Sequence, residues 1–350
     1  MNDLSQRFIE HVKSATAPLC IRGAGSKDWY GNAPRGEVLE VRAHRGIVAY
    51  EPSELVITAR AGTPLAEIEA VLAQKGQCLP FEPPRFSADS TIGGVVAAGL
   101  SGPRRVSAGS LRDYLLGVKL IDGQGHELVF GGQVMKNVAG YDVARLMAGS
   151  LGTLGLLLEV SLKVMPRPVA VATVRFALSQ AEALERLNRW AAQPLPIVAS
   201  AWHESVLTLK LAGARAAVEA ACAKLGADDT ADDGFWDDLR DQRLPFFAAE
   251  TLWRLSVPPT TPPLDLPGES LIEWRGGLRW LKTDLPAEMI RAAAATVGGH
   301  ATLWRAPPEL KERIGAFAPL PAPLLTLHKN LKAAFDPRGI FNPGRLYPEL

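Results

Sequence analysis

Two glycine-rich stretches decide how this chain is read: Ile21-Arg22-Gly23-Ala24-Gly25-Ser26-Lys27, and Thr91-Ile92-Gly93-Gly94-Val95-Val96-Ala97-Ala98-Gly99-Leu100-Ser101-Gly102. The first follows a short apolar strand over 18–22. Each stretch combines glycines, which admit a backbone close to a ligand, with a hydroxyl from Ser26, Thr91 or Ser101. Clustered backbone N–H groups beside a hydroxyl suit a pyrophosphate without a Walker loop. The wider segment 80–113 shows little period and reads either as a flexible loop or as backbone laid against a ligand. Ile92, Val95, Val96 and Leu100 favour the second reading, because linkers are usually polar. A third stretch, Gly149-Ser150-Leu151-Gly152-Thr153-Leu154-Gly155, opens an apolar strand and can wall an adenine or flavin ring.

Outward from these loops the pattern is regular. Residues 4–15 have the spacing of an amphipathic helix. Strands are expected at 38–41, 46–50 and 55–61, followed by a helix that Thr63 caps and Pro64 begins. Asp122-Gly123-Gln124-Gly125 joins a hairpin of 115–121 and 126–130. Along 156–165 apolar and polar residues alternate, predicting one wet face. Pro166-Arg167-Pro168 punctuates the chain and sets the first domain boundary. The expected division is 1–168, a second domain over 169–327, and a tail over 328–350. In the second domain, strands and helices alternate too closely for parallel crossovers. An antiparallel sheet with helices on one face fits, giving an α+β class.

The 350 residues carry 38 Lys+Arg against 37 Asp+Glu, a net charge of +1, with 47% apolar residues. That balance argues against a general nucleic-acid binder and against intrinsic disorder. Cys20, Cys78 and Cys222 lie far apart, so neither a disulfide framework nor a zinc or iron–sulfur site built from this chain alone is expected. No apolar run is long enough for a membrane span, and the N-terminus lacks a signal-peptide pattern. A cytoplasmic protein is expected, with peripheral attachment to the inner membrane open through a complex.

Several motifs fail when tested. Gly23-Ala24-Gly25 needs a small residue at 28 to continue a dinucleotide fingerprint, and Asp28 stands there. No P-loop occurs. Gly149-Ser150-Leu151-Gly152 misses the nucleophile elbow. The six histidines form no metal frame, and the acidic run 228–238 lacks calcium-loop spacing. No metal site is expected.

The order of the three glycine stretches resembles the FAD-binding domain of the vanillyl-alcohol-oxidase/PCMH-type superfamily. Gly99-Leu100-Ser101-Gly102-Pro103-Arg104-Arg105, Lys136-Asn137-Val138-Ala139-Gly140-Tyr141-Asp142, Gly149–Gly155 and the terminal Asn342-Pro343-Gly344-Arg345 are similar, within it, to a family of FAD-binding subunits of bacterial glycolate oxidases. The resemblance implies a bilobed PCMH-type FAD-binding domain over 1–168, a smaller antiparallel α/β cap domain over 169–327, and a tail over 328–350 returning to the flavin domain. It implies that Arg22, Gly23, Ala24, Gly25, Ser26 and Lys27 hold the pyrophosphate. Thr91, Ile92, Gly93, Gly94, Gly99, Ser101 and Gly102 line the second side. Gly149, Gly152 and Thr153 approach the adenosine or flavin end, with Asn342 near the flavin. The loop at 22–27 has no histidine, so non-covalent FAD is expected.

The resemblance also implies a division of labour. Related catalytic subunits carry metal-binding cap histidines and a His-x-Gly-Asp-Gly-Asn type motif; this chain lacks the motif, and between 170 and 327 it has only His203 and His300, too far apart to call a site. A 2-hydroxy acid needs a base for its hydroxyl proton and a cation for its carboxylate, and the sequence names no such residues, so the catalytic residues are unknown. The expected function is the FAD-binding subunit of a glycolate oxidase complex that oxidises glycolate and D-lactate to the 2-oxo acid. Its expected partners are a catalytic flavoprotein subunit and an iron–sulfur subunit. The alternatives are a self-sufficient FAD-dependent dehydrogenase of another hydroxy acid, or a scaffold that has lost FAD. Trp236, Phe246, Phe247, Trp253, Trp274, Trp280 and Trp304 are divided between core and an anchor-rich partner surface beside the Pro-rich stretch 257–263.

Overall fold

The computed structural model describes residues 3–132 and 142–350. The motif over 136–141 therefore lies outside the described residues. The chain divides into two compact units: Met1–Leu100 with Ser110–Pro166 and Pro319–Leu350, and Ser101–Gly109 with Arg167–Ala318.

The first unit begins with α1 (Asp3–Ser14) and the parallel pair β1 (Leu19–Arg22) and β2 (Glu37–Glu40). β3 (Ile47–Glu51), β4 (Val56–Arg60), α2 (Leu65–Gln74) and the short β5 (Gln77–Cys78) follow, then α3 (Ile92–Ala98). After α4 (Arg105–Ala108), which belongs to the second unit, come α5 (Leu111–Tyr114), β6 (Leu115–Ile121), β7 (Glu127–Gly131), β8 (Leu156–Lys163) and β9 (Met165–Pro166). A five-stranded sheet runs β3-β4-β8-β6-β7. Ile57, Ile68, Leu72, Ile92, Val96, Leu120, Val160 and Leu162 form its buried core with α2 and α3.

Three local expectations change. The stretch 92–98 is a helix, although two glycines cost it about 1 kcal/mol each in propensity. Thr91 caps it by accepting from Gly94 N, and left-handed Gly99 ends it by donating to Val95 O and Val96 O. Pro64, not Thr63, stands at the cap of α2, and the Thr63 hydroxyl instead ties Gly46 N to Arg60 O. β8 has no wet face. It is the central strand, Ser161 is buried, and its hydroxyl meets that of Thr58 at 2.8 Å.

The second unit is built on an eight-stranded sheet. Its elements are β10 (Ala170–Ala177), α6 (Gln180–Ala191), β11 (Ile197–His203), β12 (Val206–Gly213), α7 (Arg215–Leu225), β13 (Asp229–Thr230) and α8 (Gly234–Arg240). They continue with β14 (Leu252–Ser256), β15 (Glu269–Glu273), β16 (Leu278–Lys282), α9 (Ala287–Thr296), β17 (His300–Arg305) and α10 (Pro308–Ile314). The strand order is β13-β10-β12-β11-β15-β16-β14-β17, with every pair that shares a register antiparallel. Val174, Phe176, Leu207, Leu209 and Leu211 pack with Leu187 of α6 and Val218 of α7. Helices are not confined to that face. Thr173 alternates with Val174, and its hydroxyl accepts from Trp236 Nε1 at 2.9 Å, which sets α8 on the opposite side.

The aromatic residues expected to supply partner anchors are all core. None of the seven is more than 6% exposed. Phe247, Trp280 and Trp304 pack edge to face with centroids 5.0–5.4 Å apart. The Pro-rich loop is fastened as well, by Arg279, which donates to Pro262 O at 2.7 Å and to Thr261 O. Burial pulls the Arg279 guanidinium down to about 10.

The chain ends with α11 (Ala322–Phe335) and a tail that pairs Phe341 with Leu19 of β1. Among the described residues no helix is long and apolar enough to cross a membrane.

Candidate functional site

The connection leaving β1 turns back on itself because Gly25 adopts φ +71°, a left-handed conformation that a side chain would strain. It forms one wall of a small cavity, about 80 Å³. That is below the usual size of a whole-ligand pocket, ~300–1,000 Å³, so it would hold only part of a larger ligand. Arg22, Gly23, Ala24, Gly25, Ser26, Lys27 and Asp28 line it together with Thr91, Gly94, Ala97 and Ala98 of the α3 region. Cys20, Ile21, Pro34, Leu151, Asn342 and Arg345 complete the lining.

Among the described residues, the backbone N–H groups of Ala24, Gly25 and Ser26 meet no hydrogen-bond acceptor. Buried or half-buried backbone donors are normally paired, so three in succession form a cradle that asks for an anion. The Ser26 hydroxyl accepts from Ser90 Oγ at 3.0 Å, and Trp29 Nε1 holds Ser26 O at 3.1 Å. Arg22 pairs with Asp28 at 2.8 Å. Arg22, Lys27 and Arg345 thus face one carboxylate, and the local balance is cationic. Burial holds the Arg345 guanidinium below its ordinary value, with Asp28 opposing. Arg345 donates to Lys27 O at 3.0 Å and to Asn32 O, which fixes the far side of the loop. Burial, then Asp28, pushes the Cys20 thiol up, so it stays protonated.

The two glycines that open α3 differ. A Cβ on Gly93 would stand 2.7 Å from Ala61 Cβ and 2.9 Å from Ala61 O, so this glycine serves packing. The Ile92 and Gly93 amides are already spent on Thr63 O and Ala61 O. A Cβ on Gly94 would meet only Thr91 Oγ1, at 3.3 Å, and would otherwise enter the cavity.

Apart from Asn342, the remaining expected residues do not line this cavity. Gly99 ends α3 and abuts Gly149, whose N–H donates to Val96 O. Gly152 and Thr153 form the turn beneath the tail, with Thr153 Oγ1 donating to Ser150 O at 2.8 Å. Ile92 is core, and Ser101 and Gly102 belong to the second unit, where Gly102 O accepts from Trp274 Nε1 at 3.1 Å. Asn342 does line it, as a staple. Its Oδ1 accepts from Ile21 N at 2.8 Å and its Nδ2 donates to Leu151 O at 2.6 Å.

Sequence reasoning missed what holds that staple. Lys332 Nζ is buried and donates to Thr153 O, Asp336 Oδ2 and Phe341 O, each at 2.7 Å. Asp336 in turn accepts from Phe341 N at 2.7 Å. Buried, paired charges four residues apart at the C-terminal end of α11 were readable only as an ordinary surface pair. Arg345 stood inside the quoted Asn342-Pro343-Gly344-Arg345 motif, which was the available signal.

Comparisons with known proteins identify the family. Residues 4–131 match the family model described as FAD binding domain. The chain is 50% identical over 352 residues to glycolate oxidase subunit GlcE of Escherichia coli (strain K12), covering 99% of each. It is 32% identical over 174 residues to glycolate oxidase subunit GlcD of Bacillus subtilis (strain 168), covering 49% of this chain and 37% of that one. A solved structure of alkyldihydroxyacetonephosphate synthase superposes with a TM-score of 0.65 at 15% identity, over 98% of this chain and 74% of that chain, which shows a shared fold. The cradle fits the pyrophosphate that the matched domain implies, and the near-complete correspondence with one relative means that this chain is an FAD-binding oxidoreductase subunit belonging to the glycolate oxidase subunit GlcE family.

Proposed function

We propose that this chain is the accessory flavoprotein of a complex that oxidises glycolate, and D-lactate, to the 2-oxo acid. The first unit serves as the flavin domain and the second as its cap. The observation that carries this reading is the row of acceptor-free amides at Ala24, Gly25 and Ser26 beside Arg22, Lys27 and Arg345. Bound there, FAD supplies a two-electron acceptor. The amides and the Ser26 hydroxyl would orient the phosphates, and Arg22 and Lys27 would balance their charge. The loop at 22–27 offers no histidine for attachment, which supports non-covalent binding.

The one carboxylate in the cavity lining, Asp28, is held by Arg22 at 2.8 Å, and the sequence has no His-x-Gly-Asp-Gly-Asn type motif to supply a base for a hydroxyl proton. The substrate-oxidising step then falls to a second flavoprotein subunit. Three cysteines scattered over 20–222 cannot ligate a cluster by themselves, so an iron–sulfur centre in the complex would be carried by a further partner. Steady-state turnover of glycolate with a dye acceptor tests this. The purified chain alone should show negligible turnover, and co-expression with its partner subunits should restore it. Turnover by the isolated chain on the order of 1 per second or faster would overturn the accessory role.

A further inference from the structure

The second unit contains a cavity of about 430 Å³ on the α8 side of its sheet, within the size range of small-molecule sites. All its lining residues belong to that unit, so it is separate from the cradle above. Sheet register builds its floor. Arg175 of β10 pairs with Thr208 of β12, which pairs with Ala201 of β11. Adjacent strands lie about 4.8 Å apart, so these three side chains form one row. His203 stands two residues beyond Ala201, and Glu269 of β15 pairs with Lys282 of β16. Phe235 of α8 and Phe246 also line it, Phe246 beside His203 with ring centroids 5.1 Å apart.

The two ends of this cavity differ in charge. At one end Glu269 is saturated: His203 Nε2 lies 2.9 Å from Oε1, and Lys282 Nζ donates to Oε2 at 2.8 Å. Those bonds engage both Glu269 oxygens, so a cation shared with His203 and Glu204 would have to compete for them. At the other end Arg175 makes no ion pair within 4 Å among the described residues, although Asp229 of β13 stands opposite it in register. Its Nε is buried without a hydrogen-bond acceptor, and its guanidinium lies 5.7 Å from the centroid of Phe235. α8 cannot swing away freely, because Trp236 and Asp233 both bond the Thr173 hydroxyl, at 2.9 and 2.7 Å. A guanidinium with a buried, unsatisfied nitrogen is costly. Beside a buried hydroxyl and an aromatic wall, it selects a ligand with an anionic head and an apolar body.

We infer that this cavity binds a small organic carboxylate, its head on Arg175 and Thr208 and its body against Phe235 and Phe246. The test uses the flavin-saturated full chain, benzoate as probe and benzamide as its neutral match, by titration calorimetry. Benzoate should bind once per chain with a Kd of about 1 mM or below, without displacing flavin. Benzamide should bind at least about tenfold more weakly, a difference of about 1.4 kcal/mol. R175Q should weaken benzoate at least about tenfold. T208V, nearly isosteric, should weaken it several-fold and decides the matter should R175Q fail to fold. Absence of benzoate binding, equal affinity for benzamide, displacement of flavin, or wild-type affinity in the folded variants would each overturn the assignment.

Discussion

Replacing Gly94 by alanine separates ligand binding from folding. Gly94 sits inside α3, where alanine is favoured over glycine by about 0.8–1.0 kcal/mol. The added Cβ meets only Thr91 Oγ1, at 3.3 Å, and a shift of a few tenths of an ångström relieves that contact. The same Cβ projects into the cavity lined by Gly23, Gly25 and Ser26. Displacing a phosphate oxygen from one charged hydrogen bond costs about 1.5–3 kcal/mol, or roughly 10–150-fold in Kd. Gly94→Ala should therefore leave the unfolding free energy of the apoprotein within about 1 kcal/mol of wild type, or raise it, while FAD affinity falls at least about tenfold. Gly93→Ala supplies the contrast. Its Cβ would lie 2.7 Å from Ala61 Cβ, an overpacking worth about 1–3 kcal/mol of stability. Urea denaturation of the apoprotein and fluorescence titration with FAD read both quantities. Wild-type FAD affinity in Gly94→Ala would refute the placement of the cradle. So would loss of flavin without loss of stability in Gly93→Ala.

Further perturbations test the supporting structure. Lys332→Met leaves the buried Asp336 without its cation, which should cost about 3–5 kcal/mol and lower the first unit's melting temperature by on the order of 10 °C; calorimetry checks it. Asn342→Ala unpairs Ile21 N and Leu151 O, so flavin content after dialysis should drop along with stability, by about 1–3 kcal/mol for each group left unsatisfied. The Cys20 thiol is held above its ordinary 9.0, so it stays neutral in the folded chain while the unfolded chain ionises. The unfolded state then binds fewer protons, and stability falls as pH rises past 9. Denaturation at pH 8 and pH 10 should show a larger loss in wild type than in Cys20→Ala.

The sequence carried the cradle and the hairpin because both rest on local chemistry. Gly25 needs its left-handed turn, and Asp122-Gly123-Gln124-Gly125 closes β6 onto β7 whatever surrounds them. Helix α3 was illegible because its propensity is poor. Its form comes from the Thr91 cap, the Gly99 stop and the fit of Gly93 against Ala61. Thr63 looked like a cap because the residue type is right, yet its hydroxyl is claimed by Gly46 and Arg60. Asn342 was visible through its terminal motif, but the Lys332–Asp336 anchor behind it depends on burial that no local pattern encodes. The tryptophans read equally well as core or interface, and the packing of Trp280 on Trp304 and Phe247 decided for core. The cavity of the second unit was invisible because Arg175, Thr208, His203 and Glu269 meet only through strand register.

The most direct test is the flavin content of the purified full-length chain, measured by acid precipitation followed by chromatography of the supernatant. The account predicts a yellow protein that releases close to one equivalent of FAD into the supernatant, because the 22–27 loop holds the phosphates by hydrogen bonds and charge and has no histidine to attach the ring. A colourless chain that takes up no FAD on reconstitution, or flavin that stays with the precipitate, would contradict it.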